Sequence, residues 1–496
     1  MRRAIVAVAA AVLLAGPTAL AFFSGGYFAE PRIVAAIVAW TLVLAFAVAG
    51  PVPLPHSRAG RLALAGLVLL TVWSALSVSW APLKGPAIHG VQRLVLYTGA
   101  LLVAAGVLRN PRALRAVEPA LAAGIAVVIG YGLAGRLLPG LVELERSRSA
   151  GGRLEQPITY WNAEGALAAM GLVLCGRVAG DRSRPGWMRV AAAAAVAPLG
   201  AGVYLSYSRG AIAVVVLGLV VLVAAAPSRA QLRAAAVALA AAVVAAAVLA
   251  AFPGVASLDG ALGDRERDGA IALALLAAVA AAAGFATARG LAAAPAAAPR
   301  WTRRLGPVGA GLFAAVTIGL VIAGLGERPT DAQLAAGADA RRLTTASSYR
   351  YEYWRVALRA VRREPLTGLG AGGFRVAWLK ERPVAERVRD THSVELEFAA
   401  ELGLPGVLAF LLLAGGVGAA ARTAVRREPE VAAGAAAATL VWFVHASIDW
   451  DWQLPAVTLP AVVLAGVLLT VAERPAGPAA AAPPAPAGPS PDRSRA

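Results

Sequence analysis

Apolar runs of about 18 to 22 residues recur from end to end of this chain, which has 496 residues. Each run is long enough to cross roughly 30 Å of hydrocarbon as a helix. Fourteen are read, at roughly 4–23, 33–50, 62–80, 89–108, 119–138, 160–179, 189–206, 209–226, 232–252, 269–288, 306–325, 402–421, 431–448 and 455–472. The length would hold three or four soluble domains of roughly 100–200 residues, but the recurrence makes the chain one polytopic membrane body. A hydrophobic share of 59% against 15% charged residues, with a mean hydropathy of +0.68, agrees with that reading. The expected fold class is all-α, a bundle of about 12–14 spans with one large, partly helical loop outside the membrane.

The net charge of +18 then needs a source. A pI near 11.2 alone would suit a nucleic-acid binder, but the basic residues lie between apolar runs and not along one polar face, which disfavours that class. A disulfide scaffold is excluded, because Cys175 is the only cysteine and sits inside an apolar run, where a small core residue is its simplest role. The first run follows Arg2 and Arg3 like a signal peptide, yet it lacks a clear A-x-A cleavage site and more spans follow, so it is kept as a span. With the N-terminus inside, alternate connections carry about 23 basic residues, against about 9 in the short connections of the other side. The positive-inside rule thus fixes the orientation. No fixed-period repeat and no duplication between halves is visible, which lowers the prior for a transporter built from repeats.

One connection stands apart. Residues 326 to about 395 form a polar, Arg-rich segment on the outside, and loops of that length are usually functional or disordered. Within it, Tyr349, Tyr353, Val356 and Ala360 recur at spacings of three and four, so Ser348–Arg363 is expected to be a helix. The expected organisation is 1–325 for the N-terminal transmembrane helices, 326–401 for the extracytoplasmic loop with the catalytic motifs, 402–472 for the C-terminal helices, and 473–496 for a Pro- and Ala-rich, disordered cytoplasmic tail.

Ionisable groups at membrane depth are costly and mark function. Arg209 sits in Tyr207-Ser208-Arg209-Gly210, a near-absent outer connection. It is either a snorkelling interfacial arginine or a functional cation retained against the positive-inside bias. Arg153 and Asn162 bound a polar outer segment, for which a solvated arginine and a helix-opening asparagine are the ordinary explanations. Arg350 has many arginine neighbours (Arg341, Arg342, Arg355, Arg359, Arg362, Arg363), and spacing does not choose among them. Gly368 to Gly373 matches G-x-G-x-x-G, but no strand or parallel βαβ unit surrounds it, so a tight glycine turn is preferred to a dinucleotide site. Of four histidines, His56 falls in a cytoplasmic loop, His89 at a span start and His445 within a span. His392 alone faces outward beside the Arg-rich loop, where an imidazole can act as a base. Asp449 and Asp451 lie in an aromatic belt with no third ligand in sequence, so capping or pairing with an arginine is expected in place of a metal.

The order of these segments resembles the O-antigen ligase and Wzy-type polymerase family. The resemblance is carried by Arg153 to Asn162, Ser208-Arg209-Gly210, Tyr349-Arg350 with Tyr353-Trp354, Pro365 to Phe374, Thr391-His392-Ser393 and Glu401-Leu402-Gly403-Leu404-Pro405-Gly406, over about 150–470. Ser393 replaces a small amide frequent in the family, and the Asn162 segment lacks the usual Asn-Pro-Asn. A preference for Arg over Lys of 44 to 2 has the look of a GC-rich genome and leaves room for an acceptor other than lipopolysaccharide.

The resemblance implies a multi-pass bacterial glycosyltransferase of GT-C type in the cytoplasmic membrane, with its active site facing outward. It implies a polyprenyl-diphosphate-linked glycan donor, a glycan or lipid acceptor, contact with membrane lipids, no nucleic-acid partner, and neither cofactor nor metal. It also implies catalytic roles for Arg209 and Arg350 at the diphosphate and for His392 as base or acceptor-positioning group. Arg153, Asn162, Tyr353, Trp354 and Gly370 would bind substrate. The competing readings are a transporter or flippase of a lipid-linked anionic glycan, with arginines lining a route, and a membrane scaffold in envelope assembly.

Overall fold

The computed structural model describes residues 2–50, 53–292 and 348–475, with a few isolated positions between 299 and 343. The run at 306–325, the segment around Arg341 and Arg342 and the tail beyond 475 lie outside the described residues. The other thirteen apolar runs are all helices. They are α1 (Arg2–Ala21), α2 (Ala29–Ala49), α3 (Arg58–Ser77), α4 (Lys84–Val107), α5 (Pro111–Leu137), α6 (Trp161–Gly180), α7 (Gly186–Leu205), α8 (Arg209–Ala225), α9 (Arg229–Ala250), α11 (Leu262–Arg289), α14 (Val394–Arg427), α15 (Pro429–Ala446) and α16 (Pro455–Glu473). The remaining helices are short and lie in connections: α10 (Pro253–Ala256), α12 (Arg350–Arg363) and α13 (Phe374–Glu381). Among the described residues there is no strand, and eleven helices are long and apolar enough to cross a membrane. The chain is a multi-pass helical membrane protein.

Hydrocarbon offers no partner for backbone groups, so the spans satisfy themselves as helices and their ends take side-chain caps. Ser57, Asn110, Ser208, Ser228 and Ser393 each accept a backbone N–H of the helix they open. In the middle of the bundle, α6 and α16 are buried almost throughout, while Val34, Ile37, Leu44 and Val48 of α2 face outward. Small residues set the closest approach: a Cβ on Gly66 of α3 would lie 2.5 Å from the Ala409 carbonyl oxygen of α14. Cys175 is buried in α6.

The helix that carries the next apolar run begins before that run: α14 starts at Val394, eight residues ahead of it. Its first two turns are polar, and Gly403, in the left-handed region at φ +63°, breaks the helix. The break, followed by Pro405, releases the last carbonyls of those turns. Leu369 N–H donates to Ala400 O (2.9 Å), Gly370 N–H to Glu401 O (2.8 Å) and the Trp73 indole to Leu402 O (2.8 Å), while Leu404 N–H turns to Pro365 O (2.9 Å). The Glu401 carboxylate accepts from Gly372 and Phe374 N–H at the start of α13 (2.7 and 3.1 Å). The glycine segment 368–373 is therefore a turn locked onto a broken helix. A Cβ on Gly368, φ +66°, would meet the Glu401 backbone at 2.4 Å.

Helix α12 packs as its periodicity predicts. Tyr353, Val356 and Ala360 are buried against Phe374, Trp378 and Ala400, with Tyr349 partly buried beside them. Ser348 accepts the Arg350 N–H. Together α12 and α13 form a small apolar body on one face of the bundle, here the site face.

Candidate functional site

Two aspartates in the connection before α16, Asp449 and Asp451, organise the site. Asp449 is 1% exposed. Its Oδ2 pairs with an Arg350 Nη2, and its Oδ1 accepts from the Tyr160 hydroxyl (2.7 Å) and from Trp450 N–H (2.9 Å). Asn162 in turn donates to Tyr160 Oη at 2.8 Å. Burial works to raise the Asp449 carboxyl, but Arg350, with His392 and His445 behind it, outweighs burial and holds it below its ordinary value. For Arg350 burial acts the other way and is again outweighed, chiefly by Asp449, so the guanidinium is held firmly charged. Its side chain is 24% exposed, which leaves donors facing the open side.

His392 stands beside this pair. Its ring centroid is 5.1 Å from that of Tyr353 and 6.5 Å from that of Trp450. Burial pushes its pKa down; Asp449 opposes the shift and Arg350 assists it. A neutral ring with Nδ1 3.2 Å from Asp390 O places its proton there, leaving the Nε2 lone pair as acceptor. Its backbone is left-handed, φ +56°, as are those of Thr159 and Tyr207, which immediately precede Tyr160 and Ser208. Strained non-glycine backbone of this kind gathers at functional sites.

Asp451 carries the second arm. Its carboxylate pairs with His445 Nδ1, and His445 Nε2 lies 3.4 Å from Ser208 Oγ, the cap of α8. Gly210 fits against the same ring: an added Cβ would lie 3.1 Å from Nε2. Arg209, half-buried, opens α8 directly after Ser208. One loop, Asp449–Asp451, therefore joins the turn that presents Arg209 to the helix that presents Arg350.

The other sequence-derived candidates take shaping positions. Arg153 donates to the carbonyls of Ala150 (2.6 Å) and Ser149 (2.9 Å) and lies 3.6 Å over the Trp161 ring, which packs on Tyr160. Tyr353 donates to Glu386 and stands edge-on to Trp378, tying α12 to α13 beneath His392. The Trp354 indole N–H has no partner among the described residues. Gly370 presses on the α3–α4 connection, where a Cβ would meet Ala81 at 2.5 Å. Among the described residues no group of three His, Cys, Asp or Glu stands together as metal ligands, and the two aspartates serve Arg350 and His445.

Sequence reasoning did not find the Ser208–His445–Asp451 chain or the part played by Tyr160. The available signal was His445 itself, an ionisable residue inside an apolar run.

An all-helical membrane bundle with charged and aromatic groups gathered under one short loop defines the class. Residues 193–411 match the family model described as O-antigen ligase. The matched stretch includes Arg209, Arg350 and His392; Arg153, Asn162 and Asp449 lie outside it. No curated protein matches the chain.

Proposed function

We propose that this protein is a membrane glycosyltransferase of the O-antigen ligase type, which transfers or polymerises a glycan from a polyprenyl-diphosphate-linked donor. The acceptor is a hydroxyl at the outer face of the bacterial cytoplasmic membrane, to which the site face corresponds. The observation that carries the proposal is the convergence of Arg209, Arg350 and His392 on the Asp449–Asp451 loop within a chain matching the O-antigen ligase family.

As the sugar–phosphate bond breaks, negative charge grows on the diphosphate leaving group. Arginine forks stabilise it by charge-assisted hydrogen bonds. Arg350, oriented by Asp449, and Arg209, oriented by the Ser208–His445–Asp451 chain, take that role. His392, neutral and with Nε2 unprotonated, accepts the proton of the attacking hydroxyl while its oxygen bonds to the anomeric carbon. The electron pair of the broken bond leaves on the diphosphate, and one in-line displacement inverts the anomeric centre. Arg153, Asn162 and Tyr353 set the walls of the site through Trp161, Tyr160 and Trp378, Trp354 stands beside Arg350 on α12, and Gly370 holds the turn that supports α13.

Mass analysis of lipid-linked and surface glycans in a deletion strain tests this. Uniformly short chains would identify a polymerase, and full-length chains retained on the lipid a ligase. Glycans unchanged in both pools would overturn the assignment.

A further inference from the structure

A second charged feature opens on the site face and takes no part in that mechanism. A cavity of about 280 Å³ lies between α2, α4, α13 and the start of α14. Arg32, Arg93, Arg375 and Arg389 line it, and none of the four forms an ion pair among the described residues. Arg177 and Arg184 have carboxylate partners, while the buried Arg136 and Arg189 are held by backbone carbonyls. Arg32, 1% exposed, donates only to neutral groups, Tyr27 O at 2.5 Å and Gln92 Oε1 at 2.9 Å. Arg389 donates to the Tyr27 hydroxyl at 3.1 Å. Arg93 and Arg375 make no side-chain hydrogen bond among the described residues, and their buried Nε atoms have no partner.

Three acids share the lining and offset part of that charge, although none comes within ion-pair distance of the four arginines among the described residues. Glu401 holds the start of α13, Glu397 accepts from Gln453, and Asp390 faces Arg93, Arg375, Arg389 and His392 together. Four guanidinia against three acids, two of which also hold protein donors, leave a partly desolvated cationic surplus that is costly to maintain, and on the outer face it also runs against the positive-inside bias. Guanidinium forks match carboxylate and phosphate. The volume is below the roughly 300–1,000 Å³ of pockets for drug-sized ligands, and suits one charged sugar unit or one phosphate.

The cavity adjoins the segment that carries His392 through Asp390. Asp390 O receives the His392 Nδ1 proton, and the Tyr27 ring lies 5.6 Å from that of Trp450, which also faces His392 and Tyr160. A group bound at the arginines therefore sits across this aromatic wall from the Arg350–Asp449 pair, next to the segment that carries His392. Building on the function proposed above, we infer that this cavity is an acceptor subsite, seating a carboxylate or phosphate borne by the acceptor glycan.

The test uses the full chain in neutral-lipid vesicles with a polyprenyl-diphosphate-linked donor. Two acceptor oligosaccharides are compared that differ only in ending with glucuronate or glucose. The wild type should prefer the glucuronate acceptor in kcat/KM, and Arg93→Gln or Arg375→Gln should cut that preference about ten-fold each, the scale of one hydrogen bond to a charged group. Arg93→Lys should restore part of it. Arg359→Gln, at the exposed pair with Glu381, should leave it intact. Equal use of both acceptors by the wild type, or an unchanged preference in the Gln variants, would overturn the inference. Direct binding of the glucuronate oligosaccharide, measured without donor, separates the subsite from the reaction: binding weakened by Arg93→Gln supports the subsite even if no transfer occurs, in which case only the proposed function fails. Displacement of that probe by phosphatidylglycerol vesicles and not by neutral vesicles would assign the arginines to a lipid headgroup and overturn the acceptor assignment.

Discussion

The two faces of this bundle each hold a charged network, and they are built differently. On the face opposite the site, Arg177 and Asp181 pair one helical turn apart (3.5 Å), Arg184 reaches Asp181 (3.2 Å) and Glu118 (3.8 Å), and Gln231 accepts from Arg177 (3.1 Å). Two of these contacts fall within one helical turn and two join distant elements, and with Arg177 donating to Glu430 O the network ties α5, α6, α9 and the start of α15 together. On the site face, Arg350 and Asp449 come from segments 99 residues apart, and aromatic rings surround them. A histidine with an open nitrogen stands beside them, and arginines without acid partners lie nearby. The opposite face also has the larger cavity, about 710 Å³ against about 280 Å³. Size therefore does not identify the working site. Charge that is mutually satisfied fastens helices; arginines without an ion pair among the described residues line cavities on both faces, Arg189, Arg229 and Arg233 on the larger one, so it is position beside His392 and the Arg350–Asp449 pair that makes charge available to a substrate.

The sharpest way to break this contrast is at His392. His392→Ala should lower transfer about 10²–10⁴-fold, the usual range for loss of a general base, with the thermal unfolding of the purified protein nearly unchanged. Arg350→Gln should lower transfer about 10²–10³-fold. It should also destabilise by about 3 kcal/mol, the low end for stripping one partner from a buried pair, because Arg350 keeps some exposure. Adding Asp449→Asn should recover much of that stability and none of the transfer; recovery of both would mean the pair only fastens helices. On the opposite face, Arg177→Gln should cost about 3–5 kcal/mol while each folded molecule transfers at the normal rate. Reduced turnover there would erase the distinction between the faces.

The response to pH is smaller. His392 is held below its ordinary value near 6.5, so the unfolded chain binds more protons there as pH falls toward the folded value. Its contribution to stability is whole above about pH 6.5 and declines below it. Transfer should likewise stay level down to about pH 6.5 and fall only beneath that; a decline starting above pH 7 would contradict a neutral imidazole. The smallest effect belongs to Arg359→Ala, which breaks an exposed pair with Glu381 and should change stability by less than about 1 kcal/mol.

The spans were legible because a bilayer imposes one length and one polarity on every helix, and thirteen apolar runs became helices close to where periodicity put them. The α12 helix was legible for the same kind of reason, a regular stripe of Tyr353, Val356 and Ala360. The start of α14 was not, since its first turns are polar and its break at Gly403 is stabilised by carbonyl acceptors donated to from distant loops. Within the site, the candidates Arg209, Arg350 and His392 were visible as odd charges in unusual places. Asp449 was visible as an arginine partner but not as Arg350's, because pairing across the chain leaves no spacing to read. The Ser208–His445–Asp451 chain was hidden for that reason too, and the acceptor cavity draws its arginines from two spans, a short helix and a loop.

The central claim is that the junction under the Asp449–Asp451 loop breaks a sugar–phosphate bond. It is tested most directly by reconstituting the full chain in vesicles with a lipid-linked glycan donor and an acceptor, and following covalent transfer by mass spectrometry for the wild type and His392→Ala. The wild type should form the transferred product and release the polyprenyl diphosphate, and the variant should bind donor yet form almost none. Near-normal product from the variant, or glycolipid moved across the bilayer by the wild type with its linkage intact, would contradict the claim.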